Sequence, residues 1–494
     1  MSFPQALFST PTPFVRRGLD AFARAVDLVM PLNAARRREL PDACRDLSAL
    51  LTTERDGLER PYWTSPRLTS AYLRYFLPWN LVRLTALLPG LPLTAPATRP
   101  SGAEENGTAT AGANDEFLIF DLGSGPCTFP LALWLARPDL RRLPVTVVAS
   151  DSAPHPLDLG RRIFDALRAE LDPASPWTLR TLRAPLHAAP RLLRGRPRLI
   201  TLGNVLNELE ERGRRGGSVR GRLAALLDDA ARLLAPGGRL LAVEPGTRQG
   251  GRLTATLRDM ALGCALRNDE DDEDRDGAEN DWFEPAGGSG ALRFRPLAPC
   301  SHSGPCPMSA RGVTAWCHVN APAEAAPTAL TELSRAAGLA KESVSLAFLL
   351  LERLNDNAPL SARPADAPFR TGAPARLTAR LISDAFVLPG APGRARYACT
   401  EQGLALIPDA AFLPPGALCE ATSTPRVDAK SGARIMTLPG REAAAPARTP
   451  SRDGASPRPA GQGRASGRPG ERLRAAPAGR ADKKRSTSKR TRKR

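Results

Sequence analysis

Hydrophobic and polar positions divide the chain into a helical first part and a second part in which strands and helices alternate. Apolar residues recur at helical spacing in three stretches, 15–32, 43–51 and 68–88. These stretches predict an N-terminal helical region over residues 1–95. From Phe117 onward, short apolar runs typical of buried strands alternate with longer amphipathic runs typical of helices. The alternation predicts an α/β fold over residues 116–267, with a parallel sheet covered by helices on both faces.

Composition separates these regions from the rest of the chain. Residues 96–115 are rich in Pro, Gly, Thr and Ala and predict a linker. Residues 268–281 contain nine acidic residues and one Arg, which would repel one another in a packed element. We therefore interpret 268–290 as a solvated acidic loop rather than a metal site. A Cys-rich segment at 291–327 and the C-terminal part of the core, with a β-rich segment, at 328–420 follow it.

The C-terminal tail carries most of the positive charge. The formal net charge is +18, and residues 441–494 hold 17 Lys and Arg against 4 Asp and Glu, or +13, which leaves +5 for the rest. Few residues that build a core occur late in the chain, and we interpret 421–494 as a disordered basic tail. Cationic side chains on a flexible segment displace counterions from phosphates, which gives affinity for nucleic acid without sequence preference. The tail favours an RNA partner; an ordinary solvated tail is the alternative.

Targeting signals and cysteine usage indicate the compartment. No apolar run reaches the roughly 18 residues of a membrane span. The N-terminus, MSFPQALFST, lacks the basic start and apolar centre of a secretory signal. Eight cysteines in a chain of this length do not form a disulfide framework, and clustered thiols in a reducing compartment more often bind metal. We expect no membrane association and a cytoplasmic location.

An apolar strand runs directly into a glycine-rich turn in the segment FLIFDLGSGPCT. Gly123 and Gly125 allow tight curvature and the close approach of a ligand. Asp121 distinguishes the turn from a dinucleotide loop, because a carboxylate can engage the cationic amino-acid part of S-adenosylmethionine. The Gly-Lys-Ser or Gly-Lys-Thr of a phosphate-binding loop is absent. Cys127 stands where a third small residue is usual, either as a small buried thiol or as a group that crowds the cofactor.

Polar residues also follow the next two predicted strands. Asp151 ends VTVVASD, where a carboxylate can accept hydrogen bonds from ribose hydroxyls. The segment LGNVLNEL brings Asn204, Asn207 and Glu208 to the same rim, where they could orient an acceptor; no catalytic residue is assigned. The predicted S-adenosylmethionine-binding residues are Asp121, Gly123, Gly125, Asp151 and Asn204.

Four cysteines form a second candidate site, and they are Cys300, Cys306, Cys317 and Cys399. Four thiolates satisfy either a tetrahedral Zn²⁺ or an iron-sulfur cluster. Their spacing matches neither a zinc knuckle nor a ferredoxin run, so scattered buried cysteines are the alternative. His302 and His318 could replace one thiolate, although an outer or surface position is the simpler interpretation. A metal centre here would be structural. It would join the Cys-rich segment at 291–327 to the β-rich segment that follows.

Several of these motifs together resemble the methyltransferase-like proteins of the mitochondrial small ribosomal subunit and their bacterial relatives. The resemblance covers roughly residues 72–408. It rests on DLGSGPCT, LGNVLNEL, VEPGTRQGGRLTATLRD, PCSHSGPCPM with the following WCH, YACTEQGLALIP and YLRYFLPWNLVRL.

The resemblance implies a class I, Rossmann-like methyltransferase fold, and it implies a 4Fe-4S cluster, rather than Zn²⁺, on the four cysteines. The small ribosomal subunit and its rRNA are the implied partners, and an S-adenosylmethionine-dependent rRNA methyltransferase or maturation factor is the implied function. A non-catalytic assembly factor, or a methyltransferase with a Zn site and a non-RNA substrate, are the alternatives.

Overall fold

The computed structural model describes residues 4–52, 62–94, 116–209, 218–264, 293–309, 315–355, 375–388 and 393–440. All of them belong to one compact unit, Met1–Ala443. The predicted linker, the acidic loop and the tail beyond Gly440 lie outside the described residues. No helix among the described residues is long and apolar enough to cross a lipid bilayer.

Helices α1 to α4 form the N-terminal region. Their bounds are α1 Pro13–Val29, α2 Ala34–Thr52, α3 Pro66–Ala71 and α4 Leu77–Leu87. Helix α1 starts where Thr12 accepts a hydrogen bond from the backbone N–H of Val15 and Pro13 occupies the first turn. One π-helical turn, Tyr72–Phe76, joins α3 to α4, so that the two run on as a single helical segment. The buried faces of α1 and α4 contribute to the same hydrophobic core as the main sheet.

The following helices surround the main sheet: α5 Thr128–Ala136, α6 Pro138–Arg141, α7 Pro154–Leu171, α8 Ala189–Leu192, α9 Val219–Leu233, α10 Arg248–Ala261 and α11 Thr328–Ala336. Its strands are β1 Phe117–Leu122, β2 Val145–Asp151, β3 Trp177–Arg183, β4 Leu199–Gly203, β5 Arg239–Pro245, β6 Phe294–Ala298, β7 Val319–Pro322 and β8 Ser343–Arg353.

The main sheet has the order β3-β2-β1-β4-β5-β8-β6, and β7 also pairs with β8. Strands β1 to β5 are parallel, whereas β8 runs antiparallel to β5, β6 and β7. The predicted α/β, Rossmann-like fold is therefore confirmed. Strand β3 was not predicted, because WTLRTLR lies at the sheet edge and carries polar residues on its exposed face.

A second sheet closes into a barrel. Its strands are β9 Arg376–Leu381, β10 Phe386–Val387, β11 Arg394–Thr400, β12 Gly403–Ile407, β13 Leu418–Val427 and β14 Arg434–Thr437. Pairing runs from β9 through β11, β12, β14 and β13 and returns to β9. Each pair is antiparallel except β12 with β14. This order and direction are those of an OB-type barrel.

The ordered structure extends beyond the predicted start of the tail at residue 421. Strands β13 and β14 occupy much of 418–437, and Ala421 and Met436 point into the barrel core. The composition that predicts disorder, rich in Arg, Pro and Ala, begins only after about residue 440 and does not extend to this short β-rich stretch. The boundary at 421 was therefore too early.

Candidate functional site

The turn after β1 has the backbone shape that its glycines predict. Gly123 and Gly125 adopt φ angles of 66° and 52°, which residues with a side chain rarely adopt. A Cβ added at Gly123 would lie 2.6 Å from Val205, whereas a Cβ added at Gly125 would meet no atom within 4 Å. The backbone at Gly125 therefore borders open space.

Asp151 fixes this turn from the neighbouring strand. Its carboxylate accepts hydrogen bonds from the backbone N–H of Gly125 and of Ala153, both at 2.9 Å. Asp151 and Gly123 line a small cavity, together with Ser152 and other residues. The two predicted features of the crevice, the glycine turn and the carboxylate after β2, thus lie against each other.

Asp121 lies beneath the turn and not in the cavity. Its side chain is 1% exposed and accepts hydrogen bonds from the hydroxyls of Ser124, at 2.5 Å, and Thr201, at 2.6 Å. Burial raises the pKa of Asp121 to about 7, although both hydroxyls oppose the shift. This geometry therefore does not favour the predicted direct contact between Asp121 and the cofactor. Asp121 instead ties the turn to β1 and β4.

Cys127 is a buried thiol that leaves the cavity open. It is 0% exposed, packs with Ala149 and Leu157, and its Sγ lies 3.9 Å from the carbonyl oxygen of Leu157. Burial raises the pKa of this thiol. Of the two predicted alternatives, the geometry agrees with the small buried side chain.

Asn204 links the end of β4 to the N-terminal helices. It has a φ of 59°, and its side-chain oxygen accepts a hydrogen bond of 2.9 Å from a terminal guanidinium nitrogen of Arg83. Sequence analysis did not identify Arg83, which lies in α4 and is only 7% exposed. A signal was present, because Arg83 is the only charged residue in the largely apolar segment FLPWNLVRL.

Glu244 at the end of β5 is a second residue that sequence analysis missed. It is fully buried and accepts hydrogen bonds from the backbone N–H of Leu206, at 2.8 Å, and from the side-chain amide of Asn207, at 2.6 Å. Burial raises the pKa of Glu244 to about 8, and the charge of Arg83 opposes the shift. The rim therefore contains a buried carboxyl in addition to the residues that were predicted there.

The four predicted metal-binding cysteines come together from three separate segments. Cys300 and Cys306 follow β6, Cys317 precedes β7, and Cys399 lies in β11 of the barrel. Burial raises the pKa of Cys399, and the neighbouring thiols Cys300, Cys306 and Cys317 raise it further. This mutual influence indicates that the four thiols are neighbours.

Helix α10 holds the first two of these cysteines. The Arg258 guanidinium donates to Cys300 Sγ at 3.1 Å and to the carbonyl oxygens of His302 and Gly304 at 2.9 and 2.7 Å. Asp259 forms an ion pair with Arg258 at 2.8 Å and accepts a hydrogen bond of 3.0 Å from the backbone N–H of Cys306. Both charged residues are 2% exposed.

The two histidines of this segment lie in different places. His302 is buried, with Nε2 3.2 Å from Cys399 Sγ. His318 stacks on Trp316, with 5.1 Å between the ring centroids. Within the described residues, no three or more His, Cys, Asp or Glu side chains are arranged to hold a single metal ion. The thiols lie near one another, but they do not surround a single point as the ligands of one metal ion would.

The cysteine segment covers one outer face of the barrel. Along β12, Ala405 and Ile407 belong to the barrel interior, whereas Leu404 and Leu406 belong to a second apolar cluster. Three residues of the cysteine segment pack against this second cluster: Met308, Ala315 and Cys317. The outer face of β11 and β12 is therefore an internal contact between the barrel and the rest of the unit.

No protein-family model and no curated protein matches this chain. Solved structures similar to it include an rRNA methylase from Streptococcus thermophilus, at 11% identity over 49% of this chain and 89% of that one, with a TM-score of 0.24. A putative SAM-dependent methyltransferase from Streptococcus mutans is 12% identical over 48% of this chain and 44% of that one, with a TM-score of 0.26. TrmN from Thermus thermophilus is 24% identical over 26% and 34%, with a TM-score of 0.20.

These TM-scores and identities are too low to bear on function, and the alignments cover less than half of two of the three solved chains. The class of fold follows from this chain's own sheet. Five parallel strands in the order β3-β2-β1-β4-β5, followed by an antiparallel strand beside β5, form an α/β, Rossmann-like fold of the methyltransferase type.

Proposed function

We propose that this protein binds S-adenosylmethionine at the carboxyl edge of its main sheet and acts as a methyltransferase on RNA of the small ribosomal subunit. The observation that carries the proposal is the turn after β1. There the backbone at Gly125 borders open space while its N–H is held by Asp151. Ligands of open α/β sheets bind at this edge.

The chain's own residues would divide the work of binding. Asp151 accepts two backbone N–H bonds, and a carboxylate has lone pairs left for ribose hydroxyls. Gly123 and Gly125 give the ligand access to the backbone. Asn204, fixed by Arg83, borders the site at the end of β4. Asp121 would act through Ser124 as a positioning residue. The bound cofactor would supply an electrophilic methyl group.

RNA is the acceptor class that the charge distribution favours. The tail of 441–494 has a formal charge of +13, and such segments bind phosphates strongly at low salt. The resemblance to the methyltransferase-like proteins of the small ribosomal subunit supports rRNA in particular. A cytoplasmic location fits such a partner.

We further propose that Cys300, Cys306, Cys317 and Cys399 hold a 4Fe-4S cluster. The donor set supports it, since four thiols are the usual ligands of such a cluster. Each cysteine binds a different iron there, so the sulfur atoms need not converge on one point as they do around Zn²⁺. Four protein ligands leave no position for a substrate, which makes the role structural.

Calorimetry of S-adenosylmethionine binding tests the cofactor proposal. Anaerobically purified full-length protein should bind it saturably, and Asp151→Asn should weaken binding about 10-fold or more, because hydrogen bonds to a charged group contribute about 1.5–3 kcal/mol. Asp158→Asn, which changes an exposed carboxylate on α7, is the matched control and should bind as the wild type does. Absence of binding by folded, iron-replete protein would contradict an enzyme.

One observation favours a second candidate, a non-catalytic assembly factor. Asn204 is held by Arg83 and the amide nitrogen of Asn207 by Glu244, and an amide is not a general base, so neither residue supplies a base at the rim. A factor of this kind should retain ribosome binding and function when the glycine turn is mutated. Ribosome profiles of cells that carry Asp151→Asn distinguish the two candidates.

A further inference from the structure

Two buried atoms beneath the rim have no hydrogen-bond partner. They are Nε of Arg83, a donor, and the side-chain oxygen of Asn207, an acceptor. Both residues belong to the polar cluster around Glu244, since Asn207 donates to that carboxyl and Arg83 interacts with it electrostatically. Buried donors and acceptors are almost always paired. The two atoms therefore indicate a ligand that offers an acceptor and a donor.

Three aromatic rings lie near the start of the helical segment that carries Arg83. Tyr62, Trp63 and Tyr72 contact one another, with ring centroids 4.7 to 5.6 Å apart, and all three are partly exposed. Tyr72 and Arg83 lie about three turns apart on one continuous helical segment. Burial raises the pKa of Tyr72 to about 12, Arg83 lowers it, and Glu208 and Asp151 raise it. The Tyr72 hydroxyl is thus within electrostatic range of Arg83, Glu208 and Asp151.

We propose that this aromatic trio and the polar cluster form the acceptor pocket, and that its ligand is an unpaired nucleobase of RNA. The inference rests on the proposed function and adds the group that the site receives. A nucleobase is planar, stacks on aromatic rings and carries hydrogen-bond acceptors and donors side by side on one edge. Its acceptor would meet Arg83 Nε–H, and its donor would meet the oxygen of Asn207.

Binding of short RNAs to the full-length protein tests this pocket. Fluorescence anisotropy compares labelled single-stranded 8-mers of each base with an abasic 8-mer of equal phosphate number. The abasic strand offers the same phosphates without bases, so the preference for a base isolates the pocket. We expect Tyr72→Leu to reduce this preference about 10-fold, because stacking on an aromatic ring is worth about 1–3 kcal/mol per base.

Two further variants separate stacking from folding. Tyr72→Phe keeps the ring and should keep the preference for a base. Phe14→Leu removes a partly buried ring of α1 that packs on Trp134, and it should leave the preference unchanged. Near-ultraviolet circular dichroism checks that each variant is folded.

The proposal is overturned if wild-type protein binds abasic and base-containing RNA equally, or if folded Tyr72→Leu keeps the preference. A preference for an arginine- or lysine-containing peptide over every RNA would overturn it as well. Its failure is distinguishable from failure of the proposed function: cofactor binding without base preference contradicts the pocket alone, whereas base preference without cofactor binding contradicts the enzyme.

Discussion

The cofactor crevice and the thiol cluster are assembled in different ways. In the crevice, the main contacts join the ends of adjacent parallel strands, as when Asp151 at the end of β2 holds Gly125 after β1. In the thiol cluster, Cys300 follows β6 of the main sheet and Cys399 lies in β11 of the barrel, so the two come together where the barrel packs on the rest of the unit. The crevice is therefore a product of sheet topology, whereas the cluster depends on the contact between two sheets.

Among the variants that test this comparison, loss of one thiol of the cluster should have the largest effect on stability. We expect Cys399→Ser to lower the free energy of unfolding by about 5 kcal/mol or more, a part of the roughly 10–16 kcal/mol that a structural metal can contribute. Iron and sulfide analysis with calorimetric unfolding measures it. Cys419→Ser, which changes a cysteine of the same barrel outside the cluster, is the control. Equal iron content and stability in both variants would contradict the metal centre.

The buried ion pair on α10 should have the next largest effect. Arg258→Leu leaves Asp259 buried without its partner and removes the donor to Cys300, so we expect a loss of about 3–5 kcal/mol. Urea unfolding measures this loss, and a double-mutant cycle with Asp259→Asn isolates the pair. Arg161→Leu on the surface of α7 should change stability little. If Arg258→Leu lowers cofactor affinity as much as it lowers the free energy of unfolding, the thiol cluster and the cofactor crevice are coupled. That outcome would contradict the difference in assembly described above.

A third effect concerns the crevice and appears only as a dependence on pH. The pKa of Asp121 is raised to about 7 in the folded protein, from an ordinary value near 3.8, so the folded state holds one more proton between those pH values. Its contribution to stability is therefore present at low pH and is lost as pH rises through this window, by about 1.4 kcal/mol per unit.

Asp121→Asn should remove this loss, so that the variant gains stability relative to wild type from about pH 4 to 7. Thermal unfolding across that range measures the difference, and Asp158→Asn should follow the wild-type curve. A constant difference between Asp121→Asn and wild type at every pH would contradict the buried, raised carboxyl.

Sequence patterns predict the parts of this molecule that depend on short-range order. The strands β1, β2, β4 and β5 and the glycine turn follow from apolar runs and from Gly123 and Gly125. The pairing of the barrel strands does not, because β12 and β14 are parallel and are separated by β13. Short strands of this kind carry no signal for their partners.

The site residues that the sequence did not predict were missed for the same reason, because their contacts join distant parts of the chain. Arg83 and Asn204 are separated by 121 positions, and Arg258 and Cys300 by 42. Even where the surrounding segment singles out an arginine, as it does for Arg83, the sequence does not show which residue is its partner. Burial decides its role, and burial of a charged residue is not visible in composition.

The docking of the cysteine segment on the barrel has a consequence for how the barrel can be used. An OB-type barrel commonly binds oligonucleotides across its second and third strands, which here are β11 and β12. Met308, Ala315 and Cys317 already cover that face. The surface that binds nucleic acid in other barrels of this type is thus occupied by an intramolecular contact. The barrel is therefore not a sign of a second RNA-binding domain.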